Sequence, residues 1–268
     1  MRFTKMQGLG NDYLYVYGPV PENVAELSRR LSDRHFGAGS DGMIFIEPSA
    51  VADFKMRIFN ADGSEAMMCG NGIRCVGKYV YDRGLTERTE LTVETLSGLK
   101  TLKLHVEDGT VRTATVGMGT ATVGKDRTLT VPSGPDGKAV RIVCTPVSVG
   151  NPHAVLFVDD AENAPVATVG PSIEHDPSFP GGVNVEFIQV TGPNALRMRV
   201  WERGSGITMA CGTGASASVA AAVAKGYCAV GEPVAVRLDG GTLRITVAAD
   251  GSVTMEGPAE TVYEGETP

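Results

Sequence analysis

The chain has 268 residues, of which 42% are hydrophobic and 21% are charged, so it can bury a large core, and we expect two domains rather than one. The formal net charge of −7 and the lack of any run of five basic residues argue against nucleic acid and membrane surfaces as partners and favour a small molecule. Five cysteines in a chain of this length argue against a disulfide scaffold, so we expect free thiols.

The apolar pattern predicts alternating strands and helices. Residues 54–59, FKMRIF, alternate apolar and polar side chains as half-buried strands do, whereas Ile73, Val76 and Val80 share one helical stripe. In chain order, the predicted elements are a helix over 21–31, strands over 43–47 and 54–59, a helix over 72–81, strands over 99–106 and 196–201, a helix over 214–225, and strands within 234–247.

The sequence does not show the pattern of a signal peptide or of a membrane-spanning segment. The first residues, MRFTKMQGLGNDY, lack the apolar segment of a signal peptide. The longest apolar run, 215–224, is too short to cross a bilayer. We therefore predict a cytoplasmic protein without membrane contact.

The two halves of the sequence carry the same landmarks in the same order. Gly-Asn at 10–11 recurs at 150–151, and Cys-Gly-x-Gly at 69–72 recurs at 211–214, each displaced by about 140 residues. A Gly-Ser pair lies between these landmarks in both halves. Such a repeat predicts an internal duplication.

The duplication and the predicted elements together indicate an α+β fold. We expect two pseudo-symmetric domains, each a curved, mostly antiparallel sheet or barrel wrapped around a central helix. The first domain would comprise residues 1–117 with a C-terminal segment of about 256–268 and would carry Cys69. The second would comprise residues 118–255 and would carry Cys211.

Cys69 and Cys211 each stand immediately before a glycine turn that opens a helix. A helix N-terminus offers unpaired N–H groups and a positive dipole end, which lower the pKa of a thiol and make it a usable base. The glycines let a ligand approach the backbone, and an α-carboxylate would fit these N–H groups. Two thiols on opposite faces of one carbon could invert it, so we predict a cofactor-independent amino-acid racemase or epimerase.

Other interpretations of these residues are weaker. A lone cysteine is more often a buried structural residue, and this is our interpretation of Cys75, Cys144 and Cys228, which lack the repeated context. Four scattered histidines and the spacing of the cysteines do not suggest a metal site. The G-x-G-x-x-G match at 37–42 follows a predicted helix and precedes a strand, which is the reverse of the order in dinucleotide-binding folds.

The sequence resembles the diaminopimelate epimerase family along nearly its whole length. Five motifs in the family's order carry the resemblance: GLGNDY at 8–13, FNADGSEAMMCGNGIRC at 59–75, VGNPHAV at 149–155, GVNVEF at 182–187 and WERGSGITMACGTGAS at 201–216. The resemblance implies interconversion of LL- and meso-2,6-diaminopimelate for lysine and peptidoglycan synthesis. It further implies two similar domains, no pyridoxal phosphate, no metal and a homodimer.

The resemblance also implies roles for individual residues. Cys69 and Cys211 would be the acid and base, with His153 and Glu202 as auxiliary polar groups. The reacting carboxylate would bind at the helix starts, and the distal amino-acid end would be recognised separately. The implied ligands of the reacting carboxylate are Gly70, Asn71, Gly212 and Thr213, the implied distal contacts are Asn60, Asn184 and Arg203, and Asn11 and Asn151 would be paired polar contacts from the two halves.

Two positions depart from the family pattern and keep the substrate open. Ile207 stands where the family often has glutamate, and Gly42 stands where some members have glutamine. Racemases of the same fold that act on histidine, proline or hydroxyproline are therefore an alternative, as is a non-catalytic amino-acid-binding protein.

Overall fold

The computed structural model describes residues 1–132 and 139–267, which form two compact units. Unit 1 comprises Met1–Gly117 and Glu256–Pro268, and unit 2 comprises Met118–Met255. The boundary falls inside two strands, β8 and β18, which are defined below. The described residues contain four helices.

Unit 1 is built from the first part of the chain and its last strand. Its helices are α1 (Val24–Ser32) and α2 (Gly70–Asp82). Its strands are β1 (Arg2–Gly8), β2 (Asn11–Tyr17), β3 (Gly42–Glu47), β4 (Phe54–Asn60), β5 (Glu65–Ala66), β6 (Glu90–Thr95), β7 (Gly98–Glu107), most of β8 (Thr110–Thr120), the end of β18 (Ser252–Pro258) and β19 (Glu260–Glu266).

Unit 2 is continuous in sequence. Its helices are α3 (Val166–Glu174) and α4 (Gly212–Ala224). Its strands, besides parts of β8 and β18, are β9 (Thr122–Val123), β10 (Arg127–Pro132), β11 (Ala139–Ser148), β12 (Pro152–Phe157), β13 (Asn184–Gly192), β14 (Ala195–Glu202), β15 (Gly206–Ile207), β16 (Val234–Leu238) and β17 (Gly241–Val247).

The strand pairings of the two units repeat each other. In unit 1, β2 and β3 run parallel, β3 and β4 antiparallel, and β4 and β6 parallel. In unit 2, the pairs β12–β13, β13–β14 and β14–β16 follow the same sequence of directions. Further pairs in both units are antiparallel, among them β6–β7 and β16–β17. The α+β class and the duplication predicted from the sequence are therefore confirmed.

One buried helix packs against the sheet of each unit. Helix α2 packs against β1, β2 and β7, and its predicted stripe of Ile73, Val76 and Val80 is fully buried. Helix α4 packs against β11, β12, β13 and β17. It consists mainly of small residues and is apolar on all sides, which is typical of a helix that is buried all round. Its two internal serines, Ser216 and Ser218, donate to backbone carbonyls one turn earlier, so neither hydroxyl is left unpaired.

The glycine-rich match at 37–42 lies in the turn between α1 and β3, as expected from the order helix, turn, strand. In residues 1–132 and 139–267, no helix is long and apolar enough to span a membrane.

The buried carboxylate of Glu174, at the end of α3, offers a test of the core of unit 2. It accepts hydrogen bonds from Trp201 Nε1 at 2.6 Å and from the backbone N–H of Gly204 at 2.8 Å. Burial alone would raise the pKa of Glu174, but these two bonds lower it below its ordinary value. We expect Trp201→Phe to reduce the free energy of unfolding at pH 7 by about 1.5–3 kcal/mol, because it removes a hydrogen bond to a charged group.

The effect of Trp201→Phe should depend on pH. A carboxylate whose folded pKa is lowered stabilises the protein above its unfolded pKa, about 4.3 for Glu, and loses this contribution as the pH falls through the folded value. Denaturant unfolding of both proteins at a series of pH values should therefore show the difference shrinking below about pH 4. Tyr227→Phe, at a half-exposed aromatic residue, is the control. A difference that is constant with pH would exclude ionised Glu174 as its source.

Candidate active site

Cys69 and Cys211 are the N-caps of α2 and α4. Both residues have extended backbone geometry, and each sulfur accepts a hydrogen bond from a glycine N–H three residues later. The distances are 3.3 Å from Gly72 N to Cys69 Sγ and 3.3 Å from Gly214 N to Cys211 Sγ. Each unit thus holds one thiol against the N–H groups of a helix start.

The second glycine of each Cys-Gly-x-Gly turn is required by close packing. A Cβ added at Gly72 would lie 2.6 Å from Ile44 Cδ1, and one added at Gly214 would lie 2.7 Å from Glu186 Oε1. Both distances are too short for carbon, so the backbone approaches β3 and β13 only because no side chain is present. The repeated motif therefore has a packing reason in both units.

In unit 1, Cys69 is connected to a polar network at the start of β2. Its thiol donates to Asn11 Oδ1 at 3.1 Å, and Asn11 Nδ2 donates to Asp41 Oδ2 at 2.8 Å. Asp41 in turn forms an ion pair with Arg34 at 3.0 Å. The orientation of the Asn11 amide is thereby fixed beside the sulfur. Tyr13, which is buried, also interacts with Asn11 and Cys69.

Buried Arg74 holds the first turn of α2. Its Nη1 donates to Gly70 O at 3.3 Å and to Asn71 Oδ1 at 3.0 Å, and its Nε donates to Pro258 O at 3.0 Å. Asn71 is only 3% exposed. The guanidinium therefore sets the direction of the Asn71 side chain from behind the turn that carries Cys69.

Asn60 lies elsewhere in unit 1, at the end of β4. Its Nδ2 donates to Ser64 Oγ at 3.0 Å, and its backbone N–H donates to Ser64 O at 2.8 Å. These bonds close the turn that leads into β5, so the amide is held in place by the turn itself.

In unit 2, Cys211 is surrounded by polar side chains. Its sulfur lies 3.5 Å from Thr213 Oγ1, and the Glu202 carboxylate is close enough to interact with it electrostatically. The Thr208 hydroxyl donates to Glu202. Burial is the main cause that raises the pKa of Glu202 above its ordinary value, and the charge of Glu186 adds to it.

The expected lowering of the Cys211 pKa is wrong for this structure. Burial, followed by the negative charges of Glu202 and Glu186, raises the pKa of the Cys211 thiol well above its ordinary value. The bonds from Thr213 and Gly214 N–H act in the predicted direction but are outweighed. A position at a helix N-terminus therefore does not by itself lower the pKa of a thiol that is buried beside two carboxylates.

His153 and Asn151 extend this network towards β13. His153 Nδ1 lies 2.7 Å from Glu186 Oε1, and His153 Nε2 lies 3.0 Å from Asn151 Oδ1. Asn151 Nδ2 donates to Thr213 Oγ1 at 3.3 Å. The structure thus brings His153, Asn151, Thr213, Glu202 and Cys211 together in one unit.

Asn184 and Arg203 are also neighbours. Asn184 Nδ2 donates to Pro152 O at 3.0 Å, and its Oδ1 accepts from the Arg203 backbone N–H at 3.0 Å. The exposed Arg203 guanidinium reaches Gly181 O at 3.2 Å. The amide of Asn184 is fixed by two backbone groups, whereas the end of Arg203 is available to a ligand.

The remaining cysteines have structural surroundings. All five cysteines lie in the described residues and are free thiols. Burial raises the pKa of both Cys75 and Cys144 to about 11, so both stay protonated near neutral pH. Within the part of the chain that the structure describes, no three His, Cys, Asp or Glu side chains are arranged to hold a metal ion.

The two departures from the family pattern differ in cause. A Cβ at Gly42 would lie 2.1 Å from Phe59 O, so this backbone accepts only glycine there. Ile207 is 45% exposed and pairs with Trp201 in the short β15 hairpin, and nothing in the structure explains its choice.

Sequence reasoning missed several side chains around the two thiols. Glu186, Arg74, Tyr13 and Thr208 contact the predicted site residues but were not singled out. One of them left a signal: Glu186 stands between the apolar residues Val185 and Phe187 of β13, where a carboxylate is unexpected.

Comparison with known proteins identifies the family. The family model described as "Diaminopimelate epimerase" matches residues 3–124 and 145–262. A diaminopimelate epimerase of Acetivibrio thermocellus is 50% identical, covering 99% of this chain and 98% of its own, and one of Methanococcus maripaludis is 48% identical, covering 99% of both.

Solved structures show the same fold at lower identity. A probable proline racemase from Agrobacterium radiobacter matches with a TM-score of 0.74 at 20% identity, over 100% of this chain and 92% of its own. A phenazine biosynthesis protein of the PhzF family from Bacillus anthracis matches with a TM-score of 0.74 at 16% identity, over 100% and 99%. The family model and the relatives that are about half identical over almost the whole chain establish that this chain belongs to the diaminopimelate epimerase family.

Proposed function

We propose that this chain interconverts LL- and meso-2,6-diaminopimelate without a cofactor, with Cys69 and Cys211 alternating as base and acid. The observation that carries the proposal is the repeated N-cap: each unit presents one thiol at the start of a buried helix, within a family of epimerases. Inversion of a carbon by two bases requires one group on each of its faces, and a duplicated fold supplies two equivalent groups.

The helix starts would also stabilise the charge that develops during proton removal. Loss of the α-proton places negative charge on the α-carboxylate, and preorganised N–H donors aimed at this group lower the barrier. The first residues of α2 and α4 offer such donors, because the early N–H groups of a helix have no partner within it. We assign Gly70, Asn71, Gly212 and Thr213 to this role.

The polar side chains around the thiols would recognise the rest of the substrate. Asn11 and Asn151 hold equivalent places at the starts of β2 and β12, and each is fixed in a hydrogen-bonded network beside its cysteine. We assign them to paired contacts with the reacting end. Asn60, Asn184 and Arg203 would bind the distal end, where the planar guanidinium of Arg203 suits a carboxylate.

Glu202 and His153 would serve as auxiliary groups. Glu202 interacts electrostatically with the Cys211 thiol, and His153 is connected to this thiol through Asn151 and Thr213. An ammonium group beside Glu202 would find the carboxylate that the reacting amine needs for orientation. We further propose that the enzyme works as a cytoplasmic homodimer in lysine and peptidoglycan synthesis, with residues 1–117 and 256–268 as one epimerase half and 118–255 as the other.

The substrate assignment can be tested with a panel of amino acids in deuterated water. The panel comprises LL-diaminopimelate, histidine, proline, glutamate and lysine. We expect deuterium to enter the α-carbon of diaminopimelate far faster than that of the other compounds, because only this substrate has a second amino-acid end for Arg203 and Asn184. Exchange is followed by mass spectrometry and proton NMR.

Two outcomes of the panel would change the proposal. Faster exchange on proline or histidine would assign the chain to another activity of the same fold. Saturable binding of diaminopimelate without exchange would indicate a binding protein. Arg203→Lys is the matched variant: it keeps the charge but loses the planar fork, so it should raise KM for diaminopimelate more than it lowers kcat.

A further inference from the structure

Glu186 is a fully buried carboxylate in the middle of a core strand. It is 0% exposed, and its neighbours on β13, Val185 and Phe187, are core residues. A buried carboxylate is costly unless it is paired and hydrogen-bonded. Its position in the core therefore needs a reason beyond packing.

The duplication shows that the fold itself does not require a charge there. In β2–β3 of unit 1, Tyr15 pairs with Ile44, and in β12–β13 of unit 2, the equivalent Val155 pairs with Glu186. Ile44 and Glu186 also lie under equivalent glycines, Gly72 and Gly214, at 2.6 and 2.7 Å from the Cβ each glycine lacks. One half of the protein fills this place with isoleucine, and the other half fills it with a carboxylate.

The partner of Glu186 is equally specific to unit 2. His153 occupies the position at which unit 1 has Tyr13, and its ring is fully buried. Glu186 Oε1 lies 2.7 Å from Nδ1 of this ring, whereas Oε2 has no hydrogen-bond partner among the described residues. On the opposite side, Nε2 lies 3.0 Å from Asn151 Oδ1. Both ring nitrogens thus lie within hydrogen-bond distance of a side-chain oxygen, so the ring is held from two sides.

The network continues to the sulfur of Cys211. With its oxygen held by His153, the Asn151 amide directs Nδ2 to Thr213 Oγ1 at 3.3 Å, and this hydroxyl lies 3.5 Å from Cys211 Sγ. The carboxylate is therefore the fixed end of a chain of contacts that determines which groups face Cys211.

We propose that Glu186 is a positioning residue for Cys211: its carboxylate holds the His153 ring through Nδ1, and the ring in turn fixes Asn151 and Thr213 beside the thiol. The proposal rests on the proposed function only for its kinetic consequence. The groups that face the pair from other elements are Glu202 on β14 and Cys211 at the start of α4. In unit 1, Ile44 and Tyr13 stand at the places of this pair.

The first test observes His153 directly. The chain has four histidines, so ¹⁵N-histidine labelling gives a small set of ring signals, which are assigned by replacing His35, His105 and His175 singly with glutamine. In the unmodified protein, we expect two-bond proton–nitrogen spectra to show a proton on Nδ1 of His153, where it is hydrogen-bonded to the Glu186 carboxylate. In Glu186→Gln, we expect the signal of this proton to shift or disappear. A proton-free Nδ1 in the unmodified protein would overturn the proposal even if no variant folds.

The second test is kinetic. Glu186→Gln keeps the size of the side chain and removes its charge, and we expect kcat for diaminopimelate to fall about 10- to 100-fold with KM little changed, as for other groups that orient a reacting residue. Glu186→Ile introduces the residue of unit 1 and should fold but lose at least as much activity. Glu162→Gln is the control, since it weakens the ion pairs of Arg197 in the same unit without contacting the site.

The kinetic outcomes separate the two proposals. Wild-type kcat in Glu186→Gln, or a loss of the same size in Glu162→Gln, would overturn the positioning role. Failure of the unmodified protein to act on diaminopimelate would reject the proposed function, and the histidine spectra would then still decide the state of His153.

Discussion

Replacing either Cys69 or Cys211 by alanine is expected to lower epimerisation of diaminopimelate at least about a thousandfold. In the proposed mechanism, each thiol acts as base in one direction and as acid in the other, so removing either one would block both directions. The measurements are the rate of interconversion of LL and meso isomers and the incorporation of solvent deuterium at the α-carbon. Because the two thiols act as a unit, the double variant should be little worse than each single variant.

The buried cysteine Cys144 provides the matched control. It is 1% exposed in the core of unit 2, away from a helix start, so Cys144→Ala should lower stability but leave kcat close to the wild-type value. If Cys69→Ala or Cys211→Ala keeps more than about a tenth of wild-type activity, the two-base mechanism must be abandoned.

Substitution of Gly214 by alanine should produce the second largest loss, about 100-fold in kcat, because a displacement of about 1 Å at a reacting group can have this effect. The added Cβ would lie 2.7 Å from Glu186 Oε1, 3.0 Å from Met198 Cε and 3.2 Å from Cys211 Sγ. It therefore displaces the carboxylate, the thiol or the helix start. We also expect the free energy of unfolding to fall by about 1–3 kcal/mol, as in other overpacked cores.

Two glycine variants distinguish this effect from a general cost of alanine. In Gly192→Ala, the nearest atom to the new Cβ is 4.0 Å away, so activity and stability should stay close to wild type. In Gly72→Ala, the new Cβ meets the flexible end of Ile44, which can rotate away more easily than Glu186 can leave His153. Equal losses of kcat in Gly72→Ala and Gly214→Ala would contradict this distinction.

The sequence predicted the fold because the fold depends on local patterns, and the same patterns led to the proposal of Cys69 and Cys211 as site residues. Strand alternation in 54–59 and 196–201 gave β4 and β14, and the apolar stripe of Ile73, Val76 and Val80 gave α2. The repeated Cys-Gly-x-Gly motif identified both helix starts, because it precedes a helical stretch in each half of the sequence. The resemblance added the polar residues, whose roles no periodicity reveals.

What the sequence did not predict depends on contacts between distant segments. The lowered pKa expected of Cys211 was wrong because burial raises it, and the charges of Glu202 and Glu186, which come from two strands distant in sequence, raise it further. Arg74 is on the same helix as Asn71, but its third contact, Pro258, is remote in sequence. Contacts between such distant segments depend on the tertiary structure, and in the sequence only the isolated charge of Glu186 indicated one of them.

The pairing of β1 with β19 has a consequence for synthesis of the protein. Unit 2 is one continuous segment, whereas unit 1 combines an early segment with a strand that follows all of unit 2. During synthesis on the ribosome, one edge of β1 therefore stays unpaired until all of unit 2 has been made. Unpaired strand edges can pair with other chains and so promote aggregation. The nascent chain is thus most exposed to aggregation late in translation. At that stage unit 2, which contains Cys211, has been made in full, whereas unit 1, which contains Cys69, still lacks β19.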